Sequence, residues 1–209
     1  MIIEALPVGP LQVNCYIVGC ETTREALVID PGDEGGRILA ALDHAGLRAR
    51  LVVNTHGHFD HIGANAFLVE KTGAELLIHE KDVPLLAQSE RHAELFGLSV
   101  LPSPAPTRTL AGGEEWSVGE LRIRVIHTPG HSPGGICLLV DCHLFAGDTL
   151  FAGSIGRTDL AGGNHQQLLA AIREQLLVLP EATVVHPGHG PDTSIGREKR
   201  NNPFVGAFI

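Results

Sequence analysis

From position 55 to position 61 the chain reads Thr-His-Gly-His-Phe-Asp-His, so His56, His58, Asp60 and His61 crowd four imidazole or carboxylate groups into six positions. Buried as apolar filler, each group would need its own polar partner. As metal ligands they suit one another, because borderline-soft divalent cations take imidazole nitrogen and carboxylate oxygen readily. In an extended or turning segment His56 and His58 project to one side, while Asp60 and His61 reach a second position nearby. Three later segments place the same residue types behind an apolar run and a glycine: His131 after Gly130, Asp148 after Gly147, and His189 after Gly188. Glycine lets the backbone turn sharply there, and a rigid sheet can then present the side chain on a loop.

The elements that must do the presenting are legible as apolar, β-branched runs punctuated by Gly and Pro. Strands are expected at residues 2–6, 13–18, 26–29, 51–54, 75–78, 121–126, 135–140, 143–146 and 183–185. Helical periodicity covers residues 36–45, 61–72, 80–98 and 166–178, and residues 102–106 form a proline-rich loop. The chain shows no short fixed repeat. Strands followed by helices in each half predict an α/β fold of two sheets packed face to face with helices outside, an αββα four-layer sandwich forming one domain over residues 1–209.

Composition narrows the partners. The 209 residues carry a formal net charge of -9, which repels phosphate backbones and argues against nucleic acid, although two bound divalent cations would cancel part of it. The first residues have neither a basic region nor a long apolar core, and no stretch is apolar enough to span a bilayer, so no membrane association and a cytoplasmic location are expected. Cys15, Cys20, Cys137 and Cys142 lie in strand-like stretches and read as buried, reduced thiols rather than a zinc knuckle.

In order along the chain, H-x-H-x-D-H, a lone Gly-His, Gly147-Asp148-Thr149-Leu150-Phe151 and Pro187-Gly188-His189 resemble the metallo-β-lactamase superfamily. Gly156-Arg157-Thr158-Asp159 and Ile195-Gly196-Arg197-Glu198 look most like its hydroxyacylglutathione hydrolase (glyoxalase II) branch and smaller bacterial relatives. The resemblance implies one metal ion on His56, His58 and His131, a second on Asp60, His61 and His189, and Asp148 bridging both. Zinc is the first expectation, with iron or manganese accepted by the same ligands. It also implies that Asp30 orients a histidine ligand. β-Lactamases of the best-known subclass have cysteine where Asp148 stands, which counts against that activity. The other histidines are read as solvated (His44, His92, His165), as strand-border residues (His79, His143), or as ordinary hydrogen-bonded neighbours of the motifs (His127, His186).

The implied reaction is attack of a metal-bound hydroxide, oriented by Asp60, on an anionic small-molecule thioester, whose thiolate leaving group needs no strong acid. Arg157 is the local candidate for gripping a substrate carboxylate, and a role in tying down its own loop competes with that. The glutathione-binding helical domain of full-length relatives has no counterpart in the twenty residues after His189. Two rivals stand: a persulfide dioxygenase with one iron on His56, His131 and Asp148, and a non-catalytic interaction module. The latter has no use for all seven ligands. Oligomeric state is not encoded legibly.

Overall fold

The computed structural model describes residues 1–206. Its first sheet is built from β1 (Ile2–Val8), β2 (Val13–Gly19), β3 (Glu25–Ile29), β4 (Arg48–Val53), β5 (Glu75–His79) and β6 (Arg108–Leu110), hydrogen-bonded in that order. The second contains β7 (Glu115–Val118), β8 (Leu121–His127), β9 (Ile136–Val140) and β10 (His143–Gly147). After the hairpin of β11 (Leu150–Phe151) and β12 (Ser154–Ile155), it is completed by β13 (Val184–Pro187) and β14 (Thr193–Ser194), in the order β14-β13-β10-β9-β8-β7. Strands β3 to β6 run parallel, as do β10 and β13, and the remaining pairs are antiparallel.

Alternation along each strand explains the four layers. In β2, Tyr16 and Val18 face the second sheet and pack with Leu27, Val53, Ile123, Leu138 and Phe145. Cys15 and Ile17 point the other way, onto Ile38 and Leu42 of α1 (Gly35–Ala45) and Leu68 on the helix at Asn65–Thr72. The outer face of the second sheet, through Leu144, Ala146 and Val185, covers Leu168 of the helix at His165–Ala171 and Ile195 of the helix at Ile195–Asn201. Strands apolar on both faces therefore sit between two helical layers, as the αββα expectation required. No described helix is long and apolar enough to cross a membrane.

Several boundaries differ from the sequence reading. The helix expected over 61–72 is two: α2 (Phe59–Ile62) and α3 (Asn65–Thr72). The break follows from Ala64, whose N–H donates to the Pro31 carbonyl at 2.9 Å, and from Gly63, where a Cβ would collide with the Gly32 carbonyl. The helix expected over 80–98 is a 3-10 turn at Glu80–Asp82, then α4 (Val83–Leu86) with Pro84 in its first turn, then α5 (Ser89–Leu95). Asp82 turns inward there instead of staying on a helix surface. The helix expected over 166–178 is α6 (His165–Ala171), capped by Asn164 and continued as a π-helix at Ile172–Leu176. The last helix, α7, spans Ile195–Asn201. Strands β6, β7, β11, β12 and β14 went unforeseen, four residues or fewer being too short for periodicity to register. Cys15, Cys20 and Cys137 are buried free thiols as expected, but Cys142 is exposed, because it lies in the β9–β10 turn rather than in a strand.

All the presenting loops leave the sandwich at one edge. Asp30 follows β3, His56 and His58 follow β4, His131 follows β8, Asp148 follows β10 and His189 follows β13. At that edge Gly147 has φ 47°, and a Cβ would overlap the Thr55 side chain from the opposite sheet. Gly147→Ala should therefore cost roughly 2 kcal/mol or more, from left-handed strain and overpacking together, read as a lower midpoint in chemical denaturation.

Candidate metal centre

Hydrogen bonds on the far nitrogens decide where the imidazole lone pairs point. His61 Nδ1–H donates to Asp30 Oδ2 at 3.0 Å, His131 Nδ1–H to the Arg157 carbonyl at 2.7 Å, and His189 Nδ1–H to the Leu11 carbonyl at 3.1 Å. Thr55 spends its hydroxyl proton on Asp30 Oδ2 at 2.6 Å, so its oxygen accepts from His56 Nδ1–H at 3.1 Å. Each of these four rings therefore has its Nδ1 committed outward and turns its Nε2 inward. The fifth ring, His58, packs edge-on against His56 and His131, with centroids 4.7 and 4.6 Å away.

The inward atoms crowd together. His56 and His131 face each other Nε2 to Nε2 at 3.2 Å, their outer nitrogens already bonded to Thr55 and to the Arg157 carbonyl. Asp148 lies between the two groups, Oδ1 at 3.6 Å from His61 Nε2 and Oδ2 at 3.7 and 3.8 Å from the Nε2 atoms of His131 and His189. Asp60 Oδ2 is 3.4 Å from His189 Nε2 and 3.7 Å from His61 Nε2. His61 Nε2 and Asp148 Oδ1 are buried without a hydrogen-bond partner. Imidazole nitrogens and carboxylates packed this closely form a stable arrangement only around positive charge, a proton or a metal ion. The cluster can hold metal: His56, His58 and His131 form one compact triad and Asp60, His61 and His189 another.

Electrostatics point the same way. Burial pushes His56 well below its ordinary pKa, with the neighbouring histidines adding to the effect, and holds His58 near 3. Burial opposes charge on His61 too, yet the carboxylates of Asp60, Asp148 and Asp30 outweigh it and raise that ring to about 10. Asp60 is depressed below the usual carboxylate range, its burial overridden by His61 and His189. The carboxylates thus demand a cation among the rings, a proton or a metal ion.

Asp30 also belongs to a compact group with His56 and His61. Its oxygens are already taken by the Thr55 N–H at 2.7 Å, the Thr55 hydroxyl and His61 Nδ1–H. It therefore fixes the orientation of the His61 ring and, through Thr55, of the His56 ring, at φ 50°, a strained backbone position for a non-glycine residue. Arg157 lines the cavity over the cluster, but its guanidinium makes a two-pronged ion pair with Asp159 at 2.7 and 2.8 Å. Only its carbonyl reaches the centre.

Two residues escaped the sequence reading. Buried Asp82 accepts from Gly57 N–H at 3.0 Å, Ser132 O–H at 2.7 Å and Gly134 N–H at 2.5 Å, clamping the His56–His58 loop of one sheet to the His131 loop of the other. A lone acid in an apparently helical stretch carries no signal for that. His92, expected at the solvated surface, is half-buried and lines the cavity, because α5 lies across its mouth. His127 donates to or accepts nothing in the cluster: it stacks on His79 at 4.2 Å and bonds the Pro133 carbonyl. His186 bonds His143 at 2.9 Å and lies 3.0 Å from Asp192.

Sandwich and centre together define a metallo-hydrolase. The sequence pattern of the metallo-β-lactamase superfamily matches residues 8–189, and the chain belongs to that superfamily. It is 40% identical over 207 residues to the probable metallo-hydrolase YqgX of Bacillus subtilis (strain 168), covering 97% of each chain. It is 36% identical over 209 residues to the hydroxyacylglutathione hydrolase GloC of Haemophilus influenzae, covering 98% of each. Among solved structures it is similar to BLEG-1 B3 metallo-β-lactamase, with a TM-score of 0.92 and 36% identity over 98% of this chain and 99% of that one. It is similar also to TTHA1623 in a di-iron-bound form, at 0.89 and 42% over 97% and 100% of the two chains. ETHE1 from Myxococcus xanthus scores 0.83 at 33% identity, over 98% of this chain and 84% of that one.

Asp82→Asn presents an amide to one of three committed donors. It should destabilise the fold by roughly 2 kcal/mol and weaken metal binding about 10- to 100-fold, measured by denaturation and by competition with a chelator. His127→Ala should retain the full metal complement by elemental analysis.

Proposed function

We propose that the chain is a metal-dependent thioester hydrolase of the hydroxyacylglutathione type. In this reading His56, His58 and His131 hold one divalent ion, Asp60, His61 and His189 hold a second, and Asp148 is shared by both. The observation that carries it is the convergence of four Nε2 atoms, their outer nitrogens already hydrogen-bonded, and two carboxylates on one place. The likeness to GloC supplies the thioester class. Zinc is the leading candidate ion.

Bound there, such ions supply Lewis acidity and lower the pKa of coordinated water from 15.7 to about 7. The chain's residues do the rest. Asp60 turns one oxygen toward His61 and His189 and keeps the other to accept a proton and orient water. Asp148 ties the two ligand groups together, its Oδ2 lying near both His131 and His189 and its Oδ1 near His61. Beyond the cluster, the cavity lining among the described residues offers His92, Ser154 and Arg157 as its polar side chains and no carboxylic acid. A thiolate leaves without protonation, since a thiol has a pKa of about 8.5, so a site poor in acids suits a thioester better than an amide.

A second reading, a persulfide dioxygenase with one iron on His56, His131 and Asp148, draws on the likeness to ETHE1 from Myxococcus xanthus. Its cost is that Asp60, His61 and His189 are left without a task. Release of free thiol from S-lactoylglutathione, with metal content determined on the same sample, separates the two. Thiol release with about two metal ions per chain is expected. Iron alone, with oxygen consumed in the presence of a persulfide, would replace the hydrolase reading, and turnover of a β-lactam assayed in parallel would redirect it to that substrate. Asp148→Ala should lose at least one metal ion per chain and at least about a thousandfold in kcat/KM, because the shared ligand is gone.

A further inference from the structure

The cavity in front of the cluster has about 590 Å³ of space and its walls are mostly apolar. One wall is Phe59, Leu95 and Phe96, and the other is Phe151, Ile155 and Leu160. The first wall is held by contact between the rings of Phe59 and Phe96, whose centroids are 5.4 Å apart. Leu95 is 79% exposed and Phe96 49% exposed, and Leu11, also a lining residue, is 41% exposed. Three of the six large hydrophobic residues left exposed among the described residues thus surround one opening. A surface normally scatters such residues, and clustering at a polar centre marks the place where an apolar group is covered.

Charge complements the point. A glutathione thioester carries two carboxylates and an ammonium group, each wanting a counter-charge. Arg157 is the cavity's sole Lys or Arg side chain among the described residues, and Asp159 already neutralises it. Hydrophobic area, by contrast, continues from the mouth to the metal-ligating side chains His58, His131 and Asp148, so an apolar tail and a reacting carbonyl can be held at once.

We infer that the substrate is a thioester with an uncharged, apolar acyl chain, bound between the Phe59–Leu95–Phe96 and Phe151–Ile155–Leu160 walls, and that Leu95 and Phe96 set the preference for chain length. This rests on the thioester hydrolase part of the proposed function and departs from its hydroxyacylglutathione type, placing S-lactoylglutathione among the poorer substrates. The reaction is water plus thioester giving carboxylate, thiol and a proton.

The test uses the full chain loaded with Zn²⁺ and acyl-N-acetylcysteamine thioesters from acetyl to octanoyl, with S-lactoylglutathione for comparison. kcat/KM should rise with chain length, by up to about fourfold per methylene while the wall is being covered, and by at least about tenfold overall. Leu95→Ser and Phe96→Ser, both at exposed positions, should lower the octanoyl-to-acetyl ratio by roughly three- to tenfold. Equal rates across the series, or S-lactoylglutathione preferred over the octanoyl ester, would overturn the inference and leave the hydrolase reading intact. If no thioester is cleaved, calorimetric titration with acetate and octanoate decides. Octanoate binding at least tenfold tighter, and weakened by Phe96→Ser, upholds the apolar walls while the hydrolase reading falls. Equal or undetectable binding overturns both.

Discussion

Four hydrogen bonds on the outer nitrogens of His56, His61, His131 and His189 set the character of the whole centre. An imidazole is a ligand only through a free lone pair, and the proton on the opposite nitrogen decides which lone pair that is. Asp30 does this for two rings, directly for His61 and through Thr55 for His56. Carbonyls of Arg157 and Leu11 do it for the others. Asp30 holds a left-handed backbone conformation to make these bonds, a strain that the surrounding contacts must offset.

The donors to that arrangement come from both sheets, so the centre depends on how the sheets meet. Thr55 and His56 follow β4 of the first sheet, while His131, Asp148 and His189 follow strands of the second. Two ties hold the edges together. Asp82 bonds loops from both sheets, and Asn14 and the Tyr16 hydroxyl of β2 donate to the Pro187 carbonyl, two residues before His189. Gly147 and Gly188 make the approach close enough, since a Cβ at either position would strike a side chain of the centre or its support. Core packing and ligand geometry are therefore one problem: a shift of the sheets would move every lone pair.

The cavity joins opposite environments. Its floor is a charged, polar cluster and its walls are aromatic and aliphatic, which lowers the effective dielectric around the floor and strengthens every charge interaction made there. The apolar walls come from α2, α5 and the β11–β12 region. α2 carries Phe59 of the wall beside Asp60 and His61 of the cluster, and Ile155 of the β11–β12 hairpin also packs into the core, so walls, cluster and core share the same short elements.

The linear chain by itself determined the residue types of the centre, their order, and the strand-glycine pattern that places His131, Asp148 and His189 at the ends of strands. It also determined the sandwich of two sheets with helices outside, because each half runs through strands and then helices. These features are local: a glycine, a histidine and a β-branched run within a few residues of one another carry their own physical meaning. Only the tertiary structure decided what depends on neighbours distant in sequence. Asp82 is an unremarked acid until Gly57, Ser132 and Gly134 fold around it, and His92 is a surface histidine until α5 crosses the cavity mouth. Arg157 is a free anchor in the linear chain and a partner of Asp159 in the folded one. Hydrogen bonds and ion pairs are satisfied by whichever group packing brings within about 3 Å, and sequence spacing holds no record of that choice.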